Sequence, residues 1–543
     1  MKHPLVKFLL LSSATFLAGC EVGPDYKPPQ VEAPAAYKET GKWEPAKPDD
    51  AIDRGAWWSV YKDPVLDGLE KQVEVSNQNL KAAEAAYNQS RAIVDEARAG
   101  LFPTVGLDAG ATRSGAGSGS GLGSSLSNAS GATTGSGKNK TVTTYNLSVS
   151  ASWELDLWGR IRRTIEGDIA SAQASAADLA LARLSAQANL ATDYFTLRAQ
   201  DELKHILAVT IEDDRKALKI VQNQYNAGIA AKADVLTAQT QVESVEAQAI
   251  NVNVSRAQLE HAIAVLIGKP PAALTIKPAM LAHNVPKIPV GVPSALLDRR
   301  PDIAAAERGM AAANAQIGVA IAAWYPDVTI SGSYGYNSVQ LGKLISSPMS
   351  LWSLGPALAE TLFDGGLREA QVEAAHAGYD QTVATYRQAV LTGFQQVEDQ
   401  LAALHFLGEQ ATVENQVVSD ARKAEELVLN QYKAGTVPYS SVITAETTRL
   451  GNEQTELTVR QNRFVASVAL IEAIGGGWDV SQLVPHGKAT GHAQPVPKPE
   501  VVPSAPVSVP DQASSAGNLT VGGVTLFAEP DQQVQKVSNI NTR

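Results

Sequence analysis

Few residues in this chain carry side chains suited to covalent or metal chemistry. Among 543 residues there are one cysteine and eight histidines. A single cysteine cannot form an internal disulfide or a cysteine-based zinc site. The histidines are scattered without metal-ligand spacing, at positions 3, 205, 261, 283, 376, 405, 486 and 492. We therefore expect no metal and no cofactor.

Short catalytic motifs are also missing. The sequence contains no phosphate-binding P-loop, no HExxH and no GxSxG. The formal charge is −11, from 45 Lys and Arg against 56 Asp and Glu. An acidic excess argues against nucleic-acid binding, which needs a basic face. We expect neither an enzyme nor a nucleic-acid-binding protein.

The surroundings of Cys20 are typical of an export signal. Residues 1–19 combine Lys2 and Lys7, an apolar stretch and small residues before the cysteine. The sequence Leu17-Ala18-Gly19-Cys20 resembles the bacterial lipobox, in which the cysteine carries fatty acids such as palmitate. An ordinary signal peptide followed by a chance cysteine is the alternative. We expect residues 1–19 to be removed and Cys20 to be lipidated. By resemblance to enterobacterial lipoproteins, Glu21 rather than Asp at this position permits sorting to the outer membrane.

One series of sequence motifs occurs twice along the chain. Gln224–Gly228 recurs as Gln431–Gly435, and Glu154–Arg162 aligns with Glu360–Arg368. Collinear matches at a nearly constant offset indicate internal duplication. The predicted domains are a periplasmic arm (20–63), repeat 1 (64–268), a Pro-rich linker (269–297), repeat 2 (298–475) and a Pro-rich, largely disordered tail (476–543).

Each repeat contains long helical patterns. In the segment 242–266 apolar or small residues alternate at spacings of three and four, which is coiled-coil spacing. From Arg160 to Tyr225 there is no proline, and Gly167 is the only glycine. At 1.5 Å per residue this stretch makes a rod of ~100 Å. We expect four such rods per chain.

Four other segments alternate with period two, apolar and aromatic residues facing small polar ones. They lie at about 103–112, 142–153, 326–336 and 351–362. Their length suits a tilted outer-membrane strand of ~9–11 residues, although a half-buried soluble sheet has the same alternation. The lipobox-like motif favours the membrane. The four strands of one chain cannot close into a barrel. Four strands from each of three chains give a 12-stranded barrel with an aqueous lumen. The expected fold is a mixed membrane β-barrel and α-helical barrel, closed by a trimer.

Six motifs, taken in order, resemble the outer membrane factors of tripartite export systems. Within this TolC-like family the chain is most similar to the lipoprotein branch, of OprM or NodT type, and the resemblance covers about residues 20–480. The motifs are Cys20-x-Val22-Gly23-Pro24-Asp25-Tyr26, Trp57-Trp58-x-x-Tyr61-x-Asp63-Pro64-x-Leu66, Leu155-Asp156-Leu157-Trp158-Gly159-Arg160, Arg299-Arg300-Pro301-Asp302-Ile303-x-x-x-Glu307, Ser353-Leu354-Gly355-Pro356 and Leu362-Phe363-Asp364-Gly365-Gly366.

The resemblance implies a homotrimeric, passive exit duct for small molecules in the cell outer membrane. It also implies a periplasmic adaptor and an inner-membrane pump of RND type as partners. A type I protein secretion outlet is an alternative with the same fold. A lipid-anchored coiled-coil spacer without a pore is another, although it would not need the four strand segments.

Two glycine-containing turns are predicted between the long helices, near 226–232 and 433–440, since Gly can end a helix and adopt positive φ. By resemblance, adaptor docking involves Tyr225, Ala227, Gly228, Ile229, Tyr432, Ala434, Gly435 and Thr436.

The family commonly carries acidic residues after the second turn, where they ring the periplasmic aperture. Here Ser441 and Thr444 stand at the places where Asp is expected. A dense carboxylate ring is therefore in doubt. The aperture candidates are Asp234, Tyr439, Ser441, Thr444 and Glu446.

Overall fold

The structure is a computed structural model that describes residues 21–34, 36–40, 56–115, 141–288, 293–483 and 501–504. By its internal contacts the chain divides into two units, Met1–Ser504 and Ala505–Arg543. The second unit lies outside the described residues, as does Cys20.

The described residues form eight α-helices and six β-strands, together with short 3-10 turns. In chain order they are β1 Val31–Pro34, α1 Pro64–Ser76, α2 Gln78–Ala99, β2 Thr104–Gly115, β3 Thr141–Leu155, α3 Arg160–Asn226, α4 Lys232–Leu266, α5 Leu296–Arg299, α6 Pro301–Ala322, β4 Asp327–Ser338, β5 Ser350–Ala359, α7 Leu367–Lys433, α8 Tyr439–Ala473 and β6 Val501–Ser504.

The same order of elements occurs in both halves of this list. A 22-residue helix precedes two strands, a 67-residue helix and a 35-residue helix in each half. A helix of 67 residues is ~100 Å long. The two long hairpins, α3–α4 and α7–α8, also pack against each other through α3 and α8.

The junction before α3 shows how a long helix starts here. Gly159 takes a left-handed φ of 81°, and the Asp156 carboxylate accepts the backbone N–H groups of Ile161 at 2.9 Å and Arg162 at 3.0 Å. A carboxylate at this end satisfies donors that have no partner within the helix and is favoured by the helix dipole. In the second half Asp364 accepts the N–H of Arg368 in the same way.

The four longer strands form one antiparallel sheet in the order β2-β3-β4-β5. Val105 lies opposite Ala151, Val149 opposite Tyr334, and Tyr334 opposite Trp352. Directly opposite residues share a face of the sheet. This register therefore puts the apolar series of all four strands on one face and the Ser, Thr, Gly and Asn series on the other.

The largest apolar core lies where the arm and α1 pack on α3 and α8. Trp57 and Trp58 are buried there with Leu190, Phe195 and Phe464. The rings of Phe195 and Phe464 stack with centroids 4.7 Å apart. The arm is thus part of the core of this unit.

Two segments within the predicted tail are ordered. Val480–Leu483 form a 3-10 turn, and Leu483 is buried near Ala177 and Ala304. Val501–Ser504 pair in parallel with β1. One apolar side chain and one short extended segment thus contact the rest of the unit, and the largely disordered tail stays a prediction. The rest of the predicted tail lies outside the described residues.

None of the helices within the described ranges has both the length and the apolar character needed to cross a membrane. Across the same residues, no group of three His, Cys, Asp or Glu side chains is placed to hold a metal ion.

Glu70 on α1 is the most completely buried carboxyl group of the core region, at 0% exposure. Neither of its oxygens has a hydrogen-bond partner among the described residues. Burial, reinforced by the nearby Glu74 and Asp67, raises the pKa of Glu70 from 4.5 to about 9. The folded protein therefore holds this side chain neutral at pH 7.

Replacing Glu70 with Gln tests this assignment. Because the folded-state pKa of Glu70 is raised, its contribution to the free energy of unfolding of the wild type is greatest below about pH 4.5. That contribution falls by ~1.4 kcal/mol per pH unit as the pH rises toward about 9. Glutamine has no proton to lose. In thermal unfolding at pH 5, 7 and 9, the stability of Glu70→Gln relative to wild type should therefore increase with pH. The exposed control Glu84→Gln should show no such increase, and parallel curves for Glu70→Gln and wild type would contradict the assignment.

Candidate functional site

The turn between α3 and α4 is closed by backbone hydrogen bonds around Gly228. The N–H of Gly228 donates to the carbonyl of Tyr225 at 2.9 Å, and the N–H of Ile229 donates to the carbonyl of Gln224 at 2.8 Å. Gly228 has φ of 75°, a region in which a side chain is strained. The glycine at this turn is therefore required by backbone geometry.

The turn between α7 and α8 repeats this arrangement. Gly435 has φ of 76°, its N–H donates to Tyr432 O at 2.9 Å, and Thr436 N–H donates to Gln431 O at 3.0 Å. The Thr436 hydroxyl donates to the same carbonyl at 2.9 Å. Ala434 is the C-terminal cap of α7, as Ala227 is of α3.

The two turns meet in space. The hydroxyl of Tyr432 donates to Oε1 of Gln224 at 2.6 Å, which links the ends of α7 and α3. Beneath this bond, Val221, Val235 and Val442 belong to one buried cluster. At the first turn, Ile229 is 78% exposed. The joined turns therefore present apolar surface above a packed base.

Lys232 adds a positive charge to this surface. Its Nζ lies 5.5 Å from the centroid of the Tyr225 ring, within cation–π distance. All eight predicted docking residues thus lie at these two turns. Gln224, which joins the turns, was not among the predicted residues.

Asp234 has a local role at the start of α4. Its Oδ2 accepts the backbone N–H of Ala231 at 3.2 Å. Ser441 occupies the same position in the first turn of α8 and is half-buried. Thr444 is exposed, and its hydroxyl donates to the carbonyl of Ser440 at 3.0 Å. The side chains of Asp234 and Thr444 therefore make hydrogen bonds to the backbone at the start of their own helices.

Tyr439 and Glu446 are buried inside the chain, at 4% and 5% exposure. The Tyr439 ring packs beside Tyr432, with centroids 5.3 Å apart. Burial, with the nearby Glu446 as second cause, raises the pKa of Tyr439. Tyr439 and Glu446 are therefore not exposed, unlike the aperture candidate Thr444, because they lie on the face of α8 that packs against other helices of the chain.

Asp214 is a second residue that the sequence reasoning missed. It is 2% exposed on α3 and lies beside Glu446. The helical spacing of the sequence indicated that Asp214 is buried, since it lies in one series with the buried residues Leu207, Thr210 and Val221 of α3. An acidic residue at a seam position departs from the coiled-coil pattern and indicates a polar partner within the chain.

Glu21, the covalent neighbour of Cys20, lies at the junction of β3 and α3. A Cβ on Gly159 would come within 2.8 Å of the Glu21 side chain. The N–H of Val22 donates to Trp158 O at 3.1 Å, and Arg163 binds Asp25 at 3.0 Å. Cys20 itself lies outside the described residues.

Aromatic side chains collect at this same end of the sheet. Trp158 stacks on Tyr325 at 4.8 Å, and Trp153 donates its indole N–H to the carbonyl of Leu101 at 3.0 Å. Phe102 and Phe363 are 68% and 89% exposed. Aromatic residues of this kind concentrate at membrane–water interfaces.

A family described as outer membrane efflux protein matches residues 69–269 and 292–476. The chain belongs to the outer membrane efflux protein family. Two similar relatives are the solvent efflux pump outer membrane protein SrpC of Pseudomonas putida and the pyoverdine export outer membrane protein OpmQ of Pseudomonas aeruginosa. SrpC is 29% identical over 485 residues, 88% of this chain and 99% of SrpC. OpmQ is 29% identical over 470 residues, 86% of this chain and 96% of OpmQ.

The fold is that of solved outer-membrane channels. The channel OprN superposes with a TM-score of 0.76 at 29% identity, covering 84% of this chain and all of OprN. The family resemblance found in the sequence is confirmed. The protein is an efflux-system component located in the outer membrane, in a family of transport proteins.

The bond between the two turns gives a direct test. Tyr432→Phe removes the donor to Gln224 and should cost about 0.5–1.5 kcal/mol. The second turn would then open more often, so amide hydrogen exchange at residues 432–436 should accelerate by about 2- to 10-fold. The matched control is Tyr225→Phe, which keeps the ring near Lys232 and should leave exchange at 432–436 unchanged. Equal exchange in wild type and Tyr432→Phe would contradict the role of this bond.

Proposed function

We propose that three copies of this chain close a 12-stranded barrel in the outer membrane and continue as an α-helical tunnel through the periplasm. The assembly is a passive exit duct for small molecules. A periplasmic adaptor docks at the joined turns, and an inner-membrane pump, of RND type, supplies the energy.

The register of the sheet is the observation that carries this proposal. Four apolar series lie on one face, and among them Leu107, Trp352, Leu354 and Leu358 are 68–76% exposed. A soluble sheet would bury such a face against another layer. A face this apolar and this exposed is suited to lipid.

The edges of the sheet support closure by several chains. In the described residues β2 and β5 each pair on one side only. Unpaired backbone groups cannot face lipid, so β2 of one chain must pair with β5 of the next. Four strands from each of three chains make twelve, enough for an open lumen, whereas eight strands leave an interior filled by side chains.

The polar face supports an aqueous lumen. Ser333 and Ser353 bond to each other through their hydroxyls at 2.8 Å, and Ser150 bonds to Asp108 at 3.5 Å. Small polar side chains keep the interior open and hydrated. This arrangement favours a duct over the pore-free spacer.

The position of Glu21 supports a lipid anchor at Cys20. Glu21 lies beside Gly159 at the helix-side end of the sheet, where aromatic residues collect. Acyl chains on the preceding residue would enter the membrane at the level of this aromatic zone, and each buried CH₂ contributes ~0.8 kcal/mol.

The exposed apolar tip supports adaptor docking. Ile229 at the first turn and the ring of Tyr225 are available to a partner, while Tyr432 is bonded inside the chain. Small-molecule cargo is favoured over protein secretion because the relatives are named for solvent efflux and pyoverdine export.

Purified full-length protein tests the duct directly. Light scattering in detergent should give a protein mass of three chains, and planar bilayers should show conductance. Gly106→Arg, placed on the polar face of β2, should lower the conductance, whereas Val105→Arg on the apolar face should reduce membrane insertion. A monomeric protein, or no conductance even with adaptor added, would refute the proposal.

Lipidation has its own test. Intact mass spectrometry of the membrane-extracted protein should show removal of residues 1–19 and the added mass of acyl chains. Cys20→Ser should lose this mass and accumulate with its signal uncleaved. An unmodified wild-type chain cleaved at another position would support the ordinary signal peptide instead.

A further inference from the structure

Two buried carboxyl groups join the long hairpins close to the turns. Asp214 lies on α3, 14 residues before Gly228, and Glu446 lies on α8, 11 residues after Gly435. They are 2% and 5% exposed, and on both helices they lie between the same two buried clusters, one with Val221 and Val442 and the other with Leu207 and Leu450. At 1.5 Å per residue both lie about 15–20 Å from the turns.

Three of the four carboxyl oxygens of this pair are buried without a hydrogen-bond partner among the described residues. These are both oxygens of Asp214 and Oε1 of Glu446. Two neighbouring ionised carboxylates cannot hydrogen-bond to each other, and they repel. One proton shared between them removes the repulsion and supplies the missing donor.

Apolar layers enclose the pair on both sides. Toward the turns lie Val221, Ala238 and Val442, and on the other side lie Leu207, Val245 and Leu450. The α4 helix contributes the apolar side chains Ala238 and Val245 to these layers. Burial between these layers makes an unshared charge here costly.

The neighbouring charges do not neutralise the pair. The titratable groups that face it are Asp213 on α3, Tyr439 and Arg449 on α8, and Glu425 on α7. Arg449 is the only cation of these four, and it is already bound to Glu425 at 2.6 Å and Glu453 at 2.7 Å. The acidic excess around the pair favours the shared proton.

We propose that Asp214 and Glu446 form a proton-binding site that fastens the α7–α8 hairpin to the α3–α4 hairpin, so that loss of the proton frees the two turns from each other. This inference rests on the proposed channel, since it assigns proton control to the periplasmic end of the duct. The ligand of the site is a single proton.

The sign of the effect follows from burial. Burial first, and then Asp214, raises the pKa of Glu446 above its ordinary value in the fastened state. Separation of the hairpins exposes Glu446 to water and returns its pKa to the ordinary range. The fastened state therefore binds the extra proton and is favoured at low pH. Between these two values the ratio of fastened to separated hairpins falls by up to tenfold per pH unit.

The experiment measures the separation of the turns as a function of pH. Spin labels on Ile229→Cys and Thr436→Cys, in full-length protein diluted with unlabelled chains, report the distance between the turns at pH 6 and pH 9.5. Both positions are exposed, and the natural sequence has no cysteine other than Cys20. For the wild-type pair we expect the distance distribution to shift to longer values at pH 9.5.

Amide variants identify the site. In Glu446→Gln and in Asp214→Asn the amide can donate to the remaining carboxyl group in either protonation state, so both variants should keep the short distance at both pH values. The exposed control Glu243→Gln removes one carboxylate from α4 and should follow the wild type. Identical distributions at pH 6 and 9.5 in the wild type, or a pH-dependent shift retained in Glu446→Gln, would overturn the proposal.

Conductance separates this proposal from the channel itself. In planar bilayers the wild type should conduct more at pH 9.5 than at pH 6, and Glu446→Gln should not. Label distances that shift with pH without any conductance would refute the duct and leave the proton site standing. Conductance without a pH-dependent distance would leave the duct standing and refute the proton site.

Discussion

The seam along α3 is the interaction on which the rest of the described structure depends. One face of this 67-residue helix is lined by small and apolar residues, among them Ala177, Ala188, Ala191 and Leu197, which are at most 2% exposed. Small side chains let neighbouring helices approach closely. Helices α1, α2, α4, α6 and α8 all pack on α3. The position of the sheet at one end and of the turns at the other follows from this single helix.

Polar groups interrupt that seam at its contacts with the arm and with the second half of the chain. Gln187 receives the Trp57 indole N–H at 3.2 Å, Arg460 binds Glu202 at 2.6 Å, and Asp214 faces Glu446. Buried polar groups are costly unless they are paired, so each of them specifies which neighbour is allowed at its level. They fix the axial alignment of the hairpins, as a polar residue does in a coiled-coil seam.

Much of this structure was predictable because its signals are local. The run without proline from Arg160 predicted the long helix, and the alternation in the segments around Leu107 and Tyr334 predicted strands. Gly228 and Gly435 predicted the turns, since a left-handed backbone favours glycine. The aperture residues were harder. Tyr439 and Glu446 were expected near the opening, but the side of α8 on which each one lies depends on packing against α3.

The sequence by itself determined the family, the helix and strand segments and the residues of both turns, because each depends on neighbours along the chain. Only the tertiary structure decided that four apolar strand faces coincide, that Tyr432 reaches Gln224, and that Asp214 meets Glu446. In each of these two side-chain pairs, the partners are more than 200 positions apart in the sequence. Which residues meet across that separation is set by the rotation and axial alignment of whole helices, to which every packed side chain contributes.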